Sequence, residues 1–270
     1  MMPILKSDMR VLLTGATGNV GRLLRPYVAA IYATVLLNAR SPISDLWPNE
    51  LYEQGDICDP TLMDRLMSRV DGVIHMAGLV GPDYTFEETL GPNLVSVYHL
   101  FEAARRHGVK RIIYASTNHA IGFLRRGAHA DHTTPPRADS WYGITKACGE
   151  ILAAHAADRY DLDVMSIRIG YVGEQVPNER RMHIWCSARD LTSLIHIGLT
   201  GPQRGFHMVY GISRCPEPMF DNCYAESLGY QPQDCSLDHL ADPAIAQQVP
   251  DPESPEQRYI GGPFAARKDA

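Results

Sequence analysis

What this sequence lacks narrows its reading first. Its longest mainly apolar stretch, Tyr27 to Leu37, falls well short of the ~20 residues that span a bilayer. Positive charge is not in excess: 25 Lys and Arg stand against 31 Asp and Glu, for a formal charge of −6. No basic stripe therefore predicts binding to a phosphate backbone. Cysteines occur at 58, 148, 186, 215, 223 and 235, with no CxxC pair and no zinc-type spacing to histidine. They are expected to be free thiols of a reduced compartment, with no metal bound. The opening MMPILKSDMR has no apolar segment of signal-peptide length. These absences predict a cytoplasmic protein without nucleic-acid or membrane partners. Internal repeats and low-complexity segments are also missing. With 45 % hydrophobic and 21 % charged residues, the chain has the composition to bury a core.

What is present alternates. Short apolar runs at Val11–Leu13, Thr34–Leu37, Leu51–Gln54, Gly72–Met76, Arg111–Ala115, Val164–Ile169 and Phe206–Tyr210 read as strands. Helical patterns lie between them, at Val20–Ala30, Asn93–His107 and Tyr142–Tyr160. This alternation predicts an α/β fold, a doubly wound parallel sheet. In the last helix, Ile144, Ala147, Ile151 and Ala154 recur at helical spacing and are expected to face the sheet. From about Pro177 the pattern loosens, and Asp242 to Pro263 carries five prolines. Residues 1–176 are therefore assigned mainly to a dinucleotide-binding core. Residues 177–270 are assigned to a substrate-covering region interleaved with that core, which contributes a late strand near 206–210.

The dinucleotide assignment rests on Gly15-Ala16-Thr17-Gly18-Asn19-Val20-Gly21, set between the first strand and the first helix. Glycines at that spacing allow a tight turn, close approach of a pyrophosphate and close helix–strand packing, and the helix N-terminus offers free N–H groups. At the end of the second strand, Asn38-Ala39-Arg40-Ser41 holds no carboxylate to accept from the adenosine ribose. Arg40 with Ser41 would suit a 2′-phosphate, so NADP or dual use is expected over strict NAD. The plainer reading has Arg40 stacking on adenine or facing solvent. Asp56, followed by Ile57, is placed against the adenine amino group. The small residues of His75-Met76-Ala77-Gly78 let backbone lie against ribose and phosphates, with His75 read as a core histidine.

Tyr142 and Lys146 fall at i and i+4 at the start of a helix. A tyrosine with an ordinary pKa near 10 serves as a base only if its anion is stabilised, which a neighbouring ammonium does. Thr117, closing the fifth strand, offers a hydroxyl to hold the substrate oxygen beside the phenol, and Ser116 is the alternative for that role.

Together Gly15, Gly18 and Gly21, Asp56-Ile57, His75-Met76-Ala77-Gly78, Asn93, Thr117, Tyr142 and Lys146 resemble the extended short-chain dehydrogenase/reductase superfamily, of the NAD-dependent epimerase/dehydratase type, with its Rossmann fold. Ser116-Thr117-Asn118-His119, Arg168-Ile169-Gly170, Arg181-Met182 and Gly261-Gly262-Pro263-Phe264 extend the likeness to the bacterial uronate dehydrogenases over nearly the whole chain. That resemblance implies oxidation of a hexuronic acid, glucuronate or galacturonate, at its anomeric carbon to give an aldarolactone. It implies that Lys146 contacts the nicotinamide ribose and that Asn93 belongs to the cofactor site. It further implies that Ser116, Thr117, Asn118 and His119 line the sugar and that Arg181 clamps its carboxylate. It also implies a homo-oligomer, with residues 93–107 and 142–160 as dimer surfaces. Three positions depart from the pattern: Ala39 replaces the ribose-binding Asp, a serine is replaced around Leu79-Val80, and Tyr171 replaces a smaller polar residue and narrows the pocket. Two alternatives share many of these motifs, a nucleotide-sugar epimerase or dehydratase and a non-catalytic NADP-sensing protein.

Overall fold

The computed structural model describes residues 7–267. Part of the N-terminal stretch read above for a signal, residues 1–6, lies outside them. Strand β1 (Ser7–Thr14) leads through the glycine turn into α1 (Asn19–Ile31), then β2 (Tyr32–Ala39) and β3 (Glu50–Gln54). Next come α2 (Pro60–Met67), β4 (Gly72–His75), α3 (Phe86–Leu90), a π-helical turn at Gly91–Val95 and α4 (Ser96–His107). Then follow β5 (Arg111–Thr117), a 3₁₀ turn at Asn118–Ile121, α5 (Trp141–Tyr160) and β6 (Asp163–Ile169). The later chain adds a small pair, β7 (Tyr171–Val172) and β8 (Trp185–Cys186), around α6 (Glu179–Met182), and then α7 (Ala188–Thr200) and β9 (Phe206–Gly211).

Seven strands form one sheet in the order β3-β2-β1-β4-β5-β6-β9, and every recorded pairing in it is parallel. The strands read as near-continuous apolar runs because both faces are covered. Val11, Leu13, Val35, Leu37, Ile74 and Ile113 pack in one apolar cluster with residues of α1 and α7. Leu12, Leu36, Val73, Ile112 and Val164 pack in another with residues of α2, α4 and α5. The order reverses between β1 and β4, so their carboxyl ends open a crevice, where open α/β sheets hold their ligands.

Two expectations need correction. The face of α5 that meets the sheet is the Gly149, Glu150, Ala153 and Ala156 stripe, not that of Ile144 and Ile151, and Ile151 is 65 % exposed. Packing decides this over apolarity. A Cβ at Gly149 would lie 2.0 Å from the Tyr114 hydroxyl, so only small residues let α5 approach that closely. The second correction is α7, a thirteen-residue helix inside the stretch read as loose. Its signals are an N-cap, Ser187 accepting from the Asp190 amide at 3.0 Å, and a buried stripe of Leu191, Leu194, Ile195 and Leu199. The C-terminal tail turns back along the segment after β5, where the Ile260 amide donates to Leu124 O and the Gly261 amide to Gly122 O, each at 2.9 Å. No helix among the described residues is long and apolar enough to cross a membrane.

Candidate active site

The glycine turn fits a pyrophosphate. Gly15 adopts φ +68°, and a Cβ there would meet Ala77 Cα at 2.8 Å; one at Gly21 would meet Gly15 O at 2.2 Å. Gly18 caps α1 without a side-chain hydrogen bond, so the first-turn amides keep no side-chain acceptor. A groove of about 440 Å³ runs past this turn, floored by Gly15, Thr17 and Gly18 and walled by residues 38–41, 55–58 and 76–79. Arg40, Asp56, Ile57, Met76, Ala77 and Gly78 all line it. Asn19, Val20 and Gly21 lie behind it in the first turn of α1.

At the adenosine end, Ala39 is buried and Arg40 exposed, with no ion-pair partner for the guanidinium among the described residues. One oxygen of Asp56 accepts from the Cys58 amide at 2.9 Å. Sequence reasoning passed over Asn38, which lines the groove fully buried. Its Nδ2 donates to Glu53 O and its Oδ1 has no partner. Asn93 is buried too, but its amide is spent within the protein: it donates to Leu79 O and Thr145 Oγ1 and accepts from the Leu79 amide at 2.6 Å. It shapes the end of the groove rather than offering a free group there. His75 bonds Thr14 through Nδ1 at 2.9 Å, and burial pushes its pKa down to about 3, so it stays neutral.

The groove leads to the start of α5. A Cβ on Gly78 would lie 3.2 Å from Lys146 Nζ. Tyr142 and Lys146 are 6 % and 2 % exposed, and the Lys146 ammonium donates to Ala115 O at 2.8 Å. Burial pushes Lys146 down to about 8. It pushes the Tyr142 phenol up to about 12, opposed by a hydrogen bond from Thr117 and reinforced by the charge of Asp139. The expected lowering of the phenol pKa by Lys146 is therefore not what the structure shows. Lys146 is not among the groups that shift the phenol, and its ammonium is turned to a backbone carbonyl. Thr117 is the group that holds the phenol down.

The residues expected around the sugar divide. Ser116 is committed elsewhere: its hydroxyl donates to buried Glu150 at 2.5 Å, and Glu150 is gripped at both oxygens by Arg168. Asn118 is buried with an unpartnered Nδ2. The His119 ring lies edge-on to Tyr142, centroids 5.9 Å apart, and its amide donates to Thr117 Oγ1. Arg181 lies over the Tyr171 ring at 4.3 Å and has no ion-pair partner among the described residues. Its neighbour Arg180 turns inward instead, donates to Ile260 O and holds the C-terminal tail. Val80 is exposed. Asp139, Glu150 and Phe264 contact these residues, and sequence reasoning gave none of them a role.

Residues 11–189 match the model of the NAD dependent epimerase/dehydratase family. The chain is 42 % identical over 257 residues to a uronate dehydrogenase of Pseudomonas putida, covering 95 % of both proteins. Among solved structures it is similar to the glucuronic acid dehydrogenase of Chromohalobacter salexigens, with a TM-score of 0.90, 33 % identity and coverage of 96 % and 97 %. It is likewise similar to a single-residue variant of Agrobacterium tumefaciens uronate dehydrogenase complexed with NAD, with a TM-score of 0.90, 31 % identity and coverage of 97 % and 98 %.

Proposed function

The chain belongs to the NAD-dependent epimerase/dehydratase family, and from that premise we propose that it oxidises a hexuronic acid, glucuronate or galacturonate, at the anomeric carbon to an aldarolactone. The observation that carries the reading is the meeting of Thr117, Tyr142 and Lys146 where the dinucleotide groove ends at Gly78. When bound, NAD(P) supplies the hydride acceptor. Tyr142 takes the proton of the anomeric hydroxyl while the hydrogen on that carbon leaves with its electron pair, so the hemiacetal becomes a lactone carbonyl. Thr117 stabilises the phenolate by donating its one hydroxyl proton to it. Lys146, anchored on Ala115 O, places its charge beside the groove for the nicotinamide ribose. Asn118 and His119 face the sugar hydroxyls. Arg181, held over the Tyr171 ring, offers a two-pronged contact to the sugar carboxylate.

Cofactor choice belongs to the same proposal. Ala39 offers no acid to the ribose, and the unpaired Arg40 with Ser41 suits a 2′-phosphate, so NADP or dual use is favoured over strict NAD. The protein is further proposed to work in the cytoplasm as a homo-oligomer, a dimer or higher, through exposed apolar residues of α4 and α5 such as Tyr98 and Ile151. Tyr142→Phe tests the chemistry: turnover should vanish while dinucleotide affinity, measured by fluorescence titration, stays within about twofold. Retained turnover would remove Tyr142 from the base role.

A further inference from the structure

Beside the candidate site lies a buried carboxylate that sequence reasoning passed over. The Asp139 side chain is fully buried and accepts from His119 Nδ1 at 2.8 Å and from the Ser140 hydroxyl at 2.9 Å. Two glycines wall it in. A Cβ on Gly122 would come within 1.9 Å of its Oδ2, and one on Gly261 within 1.7 Å. The backbones of these glycines are joined by the Gly261 amide donating to Gly122 O, so the C-terminal tail closes the carboxylate's chamber.

That tail also brings Phe264 face to face with the His119 ring, centroids 3.9 Å apart and planes 20° apart. The imidazole is thus fixed at three places, by a carboxylate at Nδ1, by Phe264 on one face and by the edge-on Tyr142 ring. Its Nε2 has no partner within the described residues, although the side chain is 14 % exposed. Ser140 joins this arrangement to the catalytic helix, since its hydroxyl caps α5 by accepting from the Gly143 amide at 3.1 Å.

A hydrogen bond from Nδ1–H to a carboxylate decides which imidazole nitrogen is left to accept. Building on the function proposed above, we propose that Asp139 is a positioning residue for the oxidation. It holds the proton on His119 Nδ1, so that Nε2 presents a lone pair to a sugar hydroxyl beside Tyr142. Phe264, delivered by the C-terminal tail, locks the ring in that plane. The substrate property implied is a hydroxyl that donates to His119, next to the anomeric hydroxyl that donates to Tyr142.

The test has two arms. In the wild-type protein with ¹⁵N-labelled histidine, the resonances of the neutral His119 ring should be those of the Nδ1-protonated tautomer. A neutral ring protonated at Nε2 instead overturns the proposal. This arm needs neither turnover nor a variant, so it decides the proposal even if hexuronates prove not to be substrates. In the second arm, Asp139→Asn should lower kcat/KM for the hexuronate roughly 10- to 100-fold with dinucleotide affinity unchanged, the range found when the orienting partner of a metal-ligating histidine is removed. The double variant with His119→Ala should be no slower than His119→Ala alone. An Asp139→Asn rate within about twofold of wild type, or losses that multiply in the double variant, would overturn it. If Asp139→Asn does not fold, the resonance arm decides.

Discussion

The Glu150–Arg168 pair offers the sharpest test of how the site is held. Both side chains are nearly sealed, 5 % and 2 % exposed, and Arg168 donates to both Glu150 oxygens at 2.9 and 2.8 Å. A third nitrogen donates to Thr134 O at 2.8 Å. The pair thereby ties β6 to α5 and to the loop that precedes it. Replacing Arg168 with Met keeps the volume roughly but leaves a buried carboxylate with only the Ser116 hydroxyl. Breaking a buried ion pair from one side costs about 3–5 kcal/mol, most of it the desolvation of the stranded charge. At about 2–4 °C per kcal/mol for a domain of this size, the melting temperature should fall by roughly 10 °C. Circular dichroism melts and urea denaturation of Arg168→Met would measure it. The paired change Glu150→Gln with Arg168→Met removes both charges and should recover at least about half of the loss. A single-variant loss below about 1 kcal/mol would refute the reasoning, since it would mean that water or protonation already satisfies Glu150.

Two further outcomes follow from the groove and the phenol. Arg40→Ala should weaken NADP about tenfold or more while changing NAD affinity by less than about twofold, as measured by titration of each cofactor; equal effects would defeat the 2′-phosphate argument. With Tyr142 as the proposed base, oxidation should speed up as pH rises toward its pKa. Thr117 lowers that pKa and Asp139 raises it. The rising limb of kcat/KM should therefore move to higher pH in Thr117→Val and to lower pH in Asp139→Asn, and shifts in the same direction would contradict this.

The sheet was legible because its strands are buried on both faces, and such strands read as apolar runs whatever the tertiary context. The phosphate turn was legible because its three glycines are local in sequence and serve one local geometry. The face of α5 was not, because Gly149 and Ala153 are selected by how closely a helix can approach Tyr114, which no periodicity of apolar residues records. Helix α7 was missed where proline and glycine on either side drew attention from a buried stripe and a serine N-cap. Within the site, the i, i+4 pairing of Tyr142 with Lys146 is a short-range pattern. The contacts of Asp139 and Phe264 with His119 join distant parts of the chain, and nothing local announces them. Arg180 and Arg181 are adjacent and chemically alike, and only packing shows that the first ties down the tail while the second lies on Tyr171.

The central claim, oxidation of a hexuronic acid with a nicotinamide acceptor, is tested most directly by the initial rate of nicotinamide reduction. The assay takes glucuronate and galacturonate, each with NAD and with NADP. Reduction with at least one acid is predicted, with NADP serving alone or alongside NAD. Silence in all four combinations, from protein shown to bind the dinucleotide, would contradict the account.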